Sequence, residues 1–372
     1  MQRTLSYDMI NASNKRDHVY VHISKINDSN TTKIPCELAY TRSDEILEYC
    51  HLYKLSISKF NISTLDLPLM LPKALIDGVN EDVDKLAYSF TLKYQEHEVQ
   101  QYVQFISQKN TPKPVSSGVL TLQDVSSDYY YINSFQYFIN LLNTALSDAY
   151  TALNTLSGGS LGTYPPFLTY SEGLLIMNAD VLHYDNALDN PIYIYVNSAM
   201  YELLNGFLTS ESKDLTNGKN YLIQMINNGN TISLENYDSI PMIQEYSSME
   251  SWCPVQSILI TTNNIPVYPE VVGNPNVFEP KQEYNTNANQ NLNIITNFSV
   301  NLDNPTAYLP SVSYSTTNNY RYIDLMQSQH LTNIDIKVYW RDKYSRIHPL
   351  YLLPQTSSYF DLVFINRNLT IN

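Results

Sequence analysis

One long amphipathic helix stands in a chain that otherwise reads as short β-strands and polar loops. Phe135, Phe138, Ile139, Leu142, Leu146, Ala149, Tyr150 and Leu153 fall at the three, four and seven spacing of a single buried stripe. Asn133 or Ser134 can cap its start and Gly158 can end it, which places the helix over about 134–156. Helices and strands do not alternate regularly elsewhere, and that argues against a βαβ fold.

The strand signals are short alternations. Val19, Val21 and Ile23 share one face of His18 to Ile23. Tyr53, Leu55 and Ile57 alternate with polar residues, and Phe60 and Ile62 continue after a phase change. Tyr88, Phe90, Leu92 and Tyr94 predict a half-buried strand. Residues 67–72 (LPLMLP) cannot be a central strand, because each proline removes a ladder donor. Phe167 to Asn178 reads as a hairpin with Ser171-Glu172-Gly173 at its tip, and Pro191 to Val196 as a strand. Asn197 can then cap a short helix over about 198–208, with Met200, Leu203, Leu204 and Phe207 on one face. Tyr221 to Ile226, Trp252 to Ile260 and Ile294 to Leu302 read as further strands. Ile334, Ile336, Val338 and Trp340 give the strongest alternation of all, followed by a polar turn at Arg341 to Ser345 and strands at Ile347 to Leu353 and Tyr359 to Ile365. Residues 263–293 are rich in Asn and Pro and lack periodicity, a length usual for functional loops. The expected fold is mainly β: jelly-roll-type β-sandwiches with one long inserted helix and one short one. A polar Pro/Ser connection at 109–119 sets an expected boundary between an N-terminal β region, 1–110, and a jelly-roll-like domain, 120–372, unless the two form one integrated fold.

Composition narrows the function. Charged residues make up only 16% of the 372, against 43% hydrophobic, so neutral polar groups must cover much of the surface. Thirty-two tyrosines favour strands and suit subunit interfaces, since Tyr buries a ring and keeps a polar handle. AT-rich codon usage enriches the same residues and does not exclude that reading. A net charge of −14 without a basic arm argues against a nucleic-acid surface. No apolar run is long enough to span a bilayer and no secretory h-region follows Met1, so a soluble chain from a reducing compartment is expected. Cys36 and Cys50 could bridge, but with Cys253 the expected state is three buried thiols. Chance in a chain rich in Asn, Ser and Thr accounts for the N-x-S/T sequons at Asn11, Asn27, Asn30, Asn61, Asn297 and Asn368.

Chemistry-bearing constellations are weak. His18 and His22 share a strand face but lie about 13 Å apart, too far for one metal. His183-Tyr184-Asp185 with Asp189 could gather round a cation, though a solvated loop explains them as well. Glu45 with Glu48, and Asp82 with Asp84, are carboxylate pairs that nothing nearby orients. Gly158-Gly159 ends a helix, whereas an anion site would need glycines before one. Neither a nucleophile elbow, a P-loop, a G-x-G-x-x-G nor a C-x-x-C occurs, so no catalytic, cofactor or metal residues are expected. Arg341, Lys343, Arg346 and His348 read as a hairpin tip, or as an electrostatic contact to acidic patches on a neighbouring copy. Trp252 and Trp340 could form sugar-binding platforms, but both sit in apolar runs that suit core packing.

Three stretches carry a resemblance: DYYYINSFQYFINLLNTALSDAY from Asp128 to Tyr150, SWCPVQSILITTNNIPV from Ser251 to Val267, and NYRYIDL with IDIKVYWRDKYSRIHPLYLLP from Asn319 to Pro354. In this order, over roughly residues 50–365, the chain resembles the penton or minor capsid proteins of virophages and polinton-like viruses. That resemblance implies a jelly-roll capsid protein without enzymatic activity. It would self-assemble, as a pentamer or hexamer, with other copies and other capsid proteins. Its place would be the virion, after synthesis in the cytoplasm of an infected cell. An acidic chain without a cationic arm fits a vertex or accessory shell position better than a genome-lining coat. The alternative is a receptor- or glycan-binding attachment protein.

Overall fold

The computed structural model describes residues 17–75, 82–114, 127–162, 164–267, 293–299, 310–315, 321–326 and 329–368. The chain divides into two compact units: residues 1–67, 255–300 and 309–372 form the first, and 68–254 with 301–308 form the second. The second unit therefore interrupts the first between the strands Tyr53–Ser63 and Val255–Thr262. The connection read at 109–119 falls inside the second unit, and its residues 115–119 lie outside the described residues.

The first unit is a two-sheet sandwich. One sheet runs His18–Ile26, Ser357–Asn366, Tyr53–Ser63, Ser311–Ser315, with Ile323–Asp324 also paired to Tyr53–Ser63. The other runs Asn293–Ser299, Val255–Thr262, Asn333–Asp342, and the last of these pairs with both Ile347–Pro349 and Glu37–Thr41. Every pairing is antiparallel. Followed along the chain, the eight long strands pass back and forth between the sheets in the jelly-roll order, so each strand's apolar face closes against the opposite sheet. Val19, Val21 and Ile23 are buried on the first strand while its other positions face solvent. The phase change read between Ile57 and Phe60 is a β-bulge: Ile57 faces Leu362 and Lys59 faces Asp361, which leaves Ser58 as the extra residue.

The second unit carries two further sheets and the long helix. Thr209–Glu211, Tyr221–Ile223, Tyr193–Val196, Lys85–Tyr94 and His97–Gln104 form one sheet; Ile232–Ser233, Asp238–Ile243, Leu174–Asp180 and Phe167–Ser171 form the other. The helix α1, Phe135–Leu156, touches His97–Gln104 and Lys85–Tyr94 of the first of these sheets and Phe167–Ser171 of the second. Contact with two sheets explains why its buried face is wider than the stripe read from sequence. All eight expected residues are buried, and Leu141 and Ala145 join them. The Asn143 side chain also stitches the helix to a strand, donating to the Leu168 carbonyl at 2.8 Å and accepting from its N–H at 2.7 Å.

Both helix ends follow from the residues present. Ser134 Oγ accepts from the Tyr137 N–H at 3.3 Å. At the other end Gly158 and Gly159 have φ of +71° and +79°, and their N–H groups bond the carbonyls of Thr155 and Asn154, a Schellman closure. Asn197 caps the short helix by accepting from Met200 N–H at 2.9 Å. That helix, α3, spans Ser198–Leu204 instead of running to about 208. Just past its end, Gly206 lies so close to Tyr246 that a Cβ there would sit 2.3 Å from its carbonyl oxygen, so only glycine fits where the chain leaves the helix, and Phe207 stays buried. A one-turn helix, α2 (Val181–Tyr184), occupies what sequence alone left as loop. Lys85–Tyr94 is covered on both faces, not one: Ser89 and Thr91 are buried, and Thr91 Oγ1 donates to the Asn217 carbonyl at 2.6 Å. Of the long Asn/Pro segment, residues 268–292 lie outside the described residues.

Leu142 is wholly buried in the core around α1. Leu142→Ala should cost about 2–5 kcal/mol by lost transfer energy and cavity formation. Exposed Thr151→Ala on the same helix should stay within about 0.5 kcal/mol. Denaturant titration of both variants checks the pair.

Candidate assembly surfaces

The residues singled out from sequence are spent on structure. Asp180, at the start of α2, caps it by accepting from Leu182 N–H at 3.0 Å and bonds His183 Nδ1 at 2.8 Å. Tyr184 is fully buried, and Asp185 accepts from Ala187 N–H at 3.0 Å. No cluster of three metal-ligating side chains occurs among the described residues. His22 pairs with Asp361 at 2.5 Å and Glu45 with His330 at 3.0 Å. Asp84 receives the Tyr129 hydroxyl at 2.6 Å and pairs with Lys113, while Asp82 accepts from the Asp84 N–H. Trp252 and Trp340 are both core residues: Trp252 packs edge-on to Phe138 and donates to the Leu203 carbonyl, and Trp340 stacks on His348.

The basic hairpin at the end of Asn333–Asp342 has a carboxylate at its centre that sequence reading missed. Asp342 is 0% exposed and accepts from the N–H groups of Tyr344 and Arg346, from Arg346 Nε at 2.7 Å and from His348 Nε2 at 3.1 Å. Burial opposes its ionisation, but the His348 and Arg346 hydrogen bonds and the Arg346 charge outweigh burial and hold its carboxyl below the usual range. The anchored turn tolerates Ser345 at φ +63° and presents Tyr344, 61% exposed, with the Arg346 guanidinium over its ring. A second hub lies on the second unit. Lys219, 3% exposed, reaches both Glu98 and Asp214, and this clamps residues 214–219 over the sheet. The Lys219 hydrogen bond lowers the carboxyl of Glu98 and likewise that of Asp214.

The three cysteines are thiols, two of them buried and Cys253 half-buried. Burial pushes Cys36 up to about 12 and Cys50 up to about 11, so neither forms thiolate near neutrality.

The two units differ in the large hydrophobic side chains they leave outside. Exposed large side chains of the first unit are chiefly tyrosines, Tyr20, Tyr40, Tyr49 and Tyr344 with Ile26. Those of the second are chiefly aliphatic, and Ile243, 53% exposed, adjoins Ile176 on the outer face of its sheet.

Known proteins share this arrangement. The family model described as Sputnik minor capsid protein V18/19 matches residues 19–366. The chain belongs to that family. Among Sputnik virophage proteins, the uncharacterized protein V18 is 30% identical over 110 residues, covering 28% of this chain and 65% of the relative, just under two thirds. Structural protein V19 is 24% identical over 204 residues, covering 52% of this chain and 89% of V19. A chain of the Sputnik virophage solved by electron cryomicroscopy superposes with a TM-score of 0.77 at 23% identity, over 95% of this chain and 99% of that one. The mavirus penton protein superposes with a TM-score of 0.62 at 17% identity, over 94% and 99%. These likenesses fix the fold as that of capsid jelly-roll proteins. Membership of the family carries a structural role in the capsid, and it supports that reading over the attachment alternative.

Three outcomes are expected from these geometries. Asp342→Ala removes the shared acceptor of the hairpin and should cost about 3 kcal/mol. Because the folded carboxyl lies below its unfolded value of about 3.9, its contribution is complete above that pH and is lost as pH falls through the folded value. Melting curves between about pH 2 and 5 should therefore fall more steeply for the native chain than for Asp342→Asn. In a thiol-reagent titration of the folded protein, Cys253 should react first, with Cys36 and Cys50 released only on unfolding.

Proposed function

We propose that this chain is a self-assembling subunit of a virion shell, in a penton or minor position, that oligomerises as a pentamer or hexamer through sheet edges and loops. The observation that carries the proposal is the jelly roll of the first unit, whose exposed large hydrophobic side chains are chiefly tyrosines. Low charge density lowers the desolvation cost of packing copies together. The mavirus penton protein, with a like fold, supports a vertex position, and the net charge of −14 favours an accessory shell role over lining a genome. Its partners are other copies and other capsid proteins, it catalyses no reaction, and it is made in the cytoplasm of the infected cell before entering the particle.

Light scattering of the purified chain, followed by electron microscopy, tests the proposal. A closed pentamer or hexamer at micromolar concentration is expected. A strict monomer that also fails to join shells formed with the other capsid chains would overturn it.

A further inference from the structure

The first strand, His18–Ile26, lies at the edge of its sheet and pairs with Ser357–Asn366 through nine consecutive residues without a bulge. Asn366 N–H bonds the Asp17 carbonyl and Asn27 N–H bonds the Thr356 carbonyl, so odd-numbered residues direct their backbone groups into this ladder. The antiparallel pattern then turns the N–H and C=O of His18, Tyr20, His22, Ser24 and Ile26 away from the sheet. None of these groups finds a hydrogen-bond partner among the described residues. The strand has no proline, no glycine and a single lysine, Lys25, which shares the face of Val19, Val21 and Ile23. These are the devices by which natural sheets guard an edge, and nearly all are absent. The other edges differ. Asn293–Ser299, Ser311–Ser315, Phe167–Ser171, Thr209–Glu211 and Ile232–Ser233 have seven residues or fewer. His97–Gln104 has eight, but the register shifts between Lys85 and Ser89 opposite it, and Glu98 is held by Lys219.

An unguarded row of alternating donors and acceptors recognises one chemistry, the backbone of another extended chain. We infer that His18–Ile26 pairs antiparallel with the same strand of a second copy, about a two-fold axis at His22. This rests on the self-assembly proposed above, and because a two-fold contact cannot lie within a closed five- or six-fold ring, it joins one ring to the next. The outward positions suit their own mirror order. Tyr20, 73% exposed, would lie opposite Ser24, a large ring against a small side chain, and His18 would lie opposite Ile26, 65% exposed. His22 would meet His22, each already matched to its own Asp361. Each copy would donate five backbone N–H groups, and the two sheets would become one.

Proline at an outward position removes a donor from the free edge and leaves the inner ladder whole. Sedimentation of the full-length chain should therefore show association of rings with one another at least tenfold weaker for Ser24→Pro, with an unchanged melting temperature. Ser24→Ala should associate as the native chain does, since the contact uses backbone. Amide exchange at Tyr20, His22 and Ser24 should slow on association. Undiminished association of rings by Ser24→Pro, or native rings that never associate, would overturn the edge pairing and leave the shell proposal standing, whereas a native chain that neither forms rings nor joins shells would overturn both. Slowed exchange at these amides only when a different capsid chain is added would overturn the second copy as occupant.

Discussion

The central ladder of the first unit is the constraint on which the rest of the structure depends. Ser357–Asn366 lies between His18–Ile26 and Tyr53–Ser63, so the end of the described chain is hydrogen-bonded to both of its beginnings. Without that ladder, the strands before residue 67 and after residue 255 would be joined only through the inserted unit. Loop-closure entropy grows slowly with length, so a sheet of this size can tolerate so long an insertion provided its own ladder is continuous. The buried residues on that ladder, Phe60, Phe360, Leu362 and Phe364, supply the apolar area that closes it. Phe60 and Phe360 stand ring to ring at 5.8 Å across the register.

The inserted unit solves a different packing problem. Several of its strands carry polar residues on faces that the fold covers. The long helix supplies the missing apolar area, offering one face wide enough for parts of both sheets. Covered polar positions are then satisfied individually: Thr91 by the Asn217 carbonyl, Ser89 by Gln100 at 2.9 Å, and Lys219 by its two carboxylates. Such local satisfaction lets a chain poor in charge keep its outer surface free for other subunits.

Much of this was legible in the residues, because period and punctuation are local properties. The helix, its serine cap and its glycine stop, the hairpin at Ser171-Glu172-Gly173, and the phase slip beside Ser58 all came through. Glu172 and Gly173 both have positive φ, as that two-residue tip requires. Long-range covering was not legible. Leu141 and Ala145 fall outside a single stripe, and their burial depends on how far the strands wrap round the helix; Lys85–Tyr94 looked half-buried because the loop over its outer face is more than a hundred residues away in sequence. Asp342 hid in an evident turn: the spacing shows a hairpin tip but not which way its carboxylate points. The insertion itself has no compositional signature, since sheet partners separated by some three hundred residues leave no local mark.

A capsid role fits these features: a jelly-roll sandwich whose turns and loops are held by buried charges. Electron cryomicroscopy of the purified particles tests this most directly. The account predicts density at the icosahedral vertices or in another ordered shell position that the two-sheet unit fits, with the Tyr20 edge against protein. Particles whose every ordered shell position is filled by other chains, with this one absent, would contradict it.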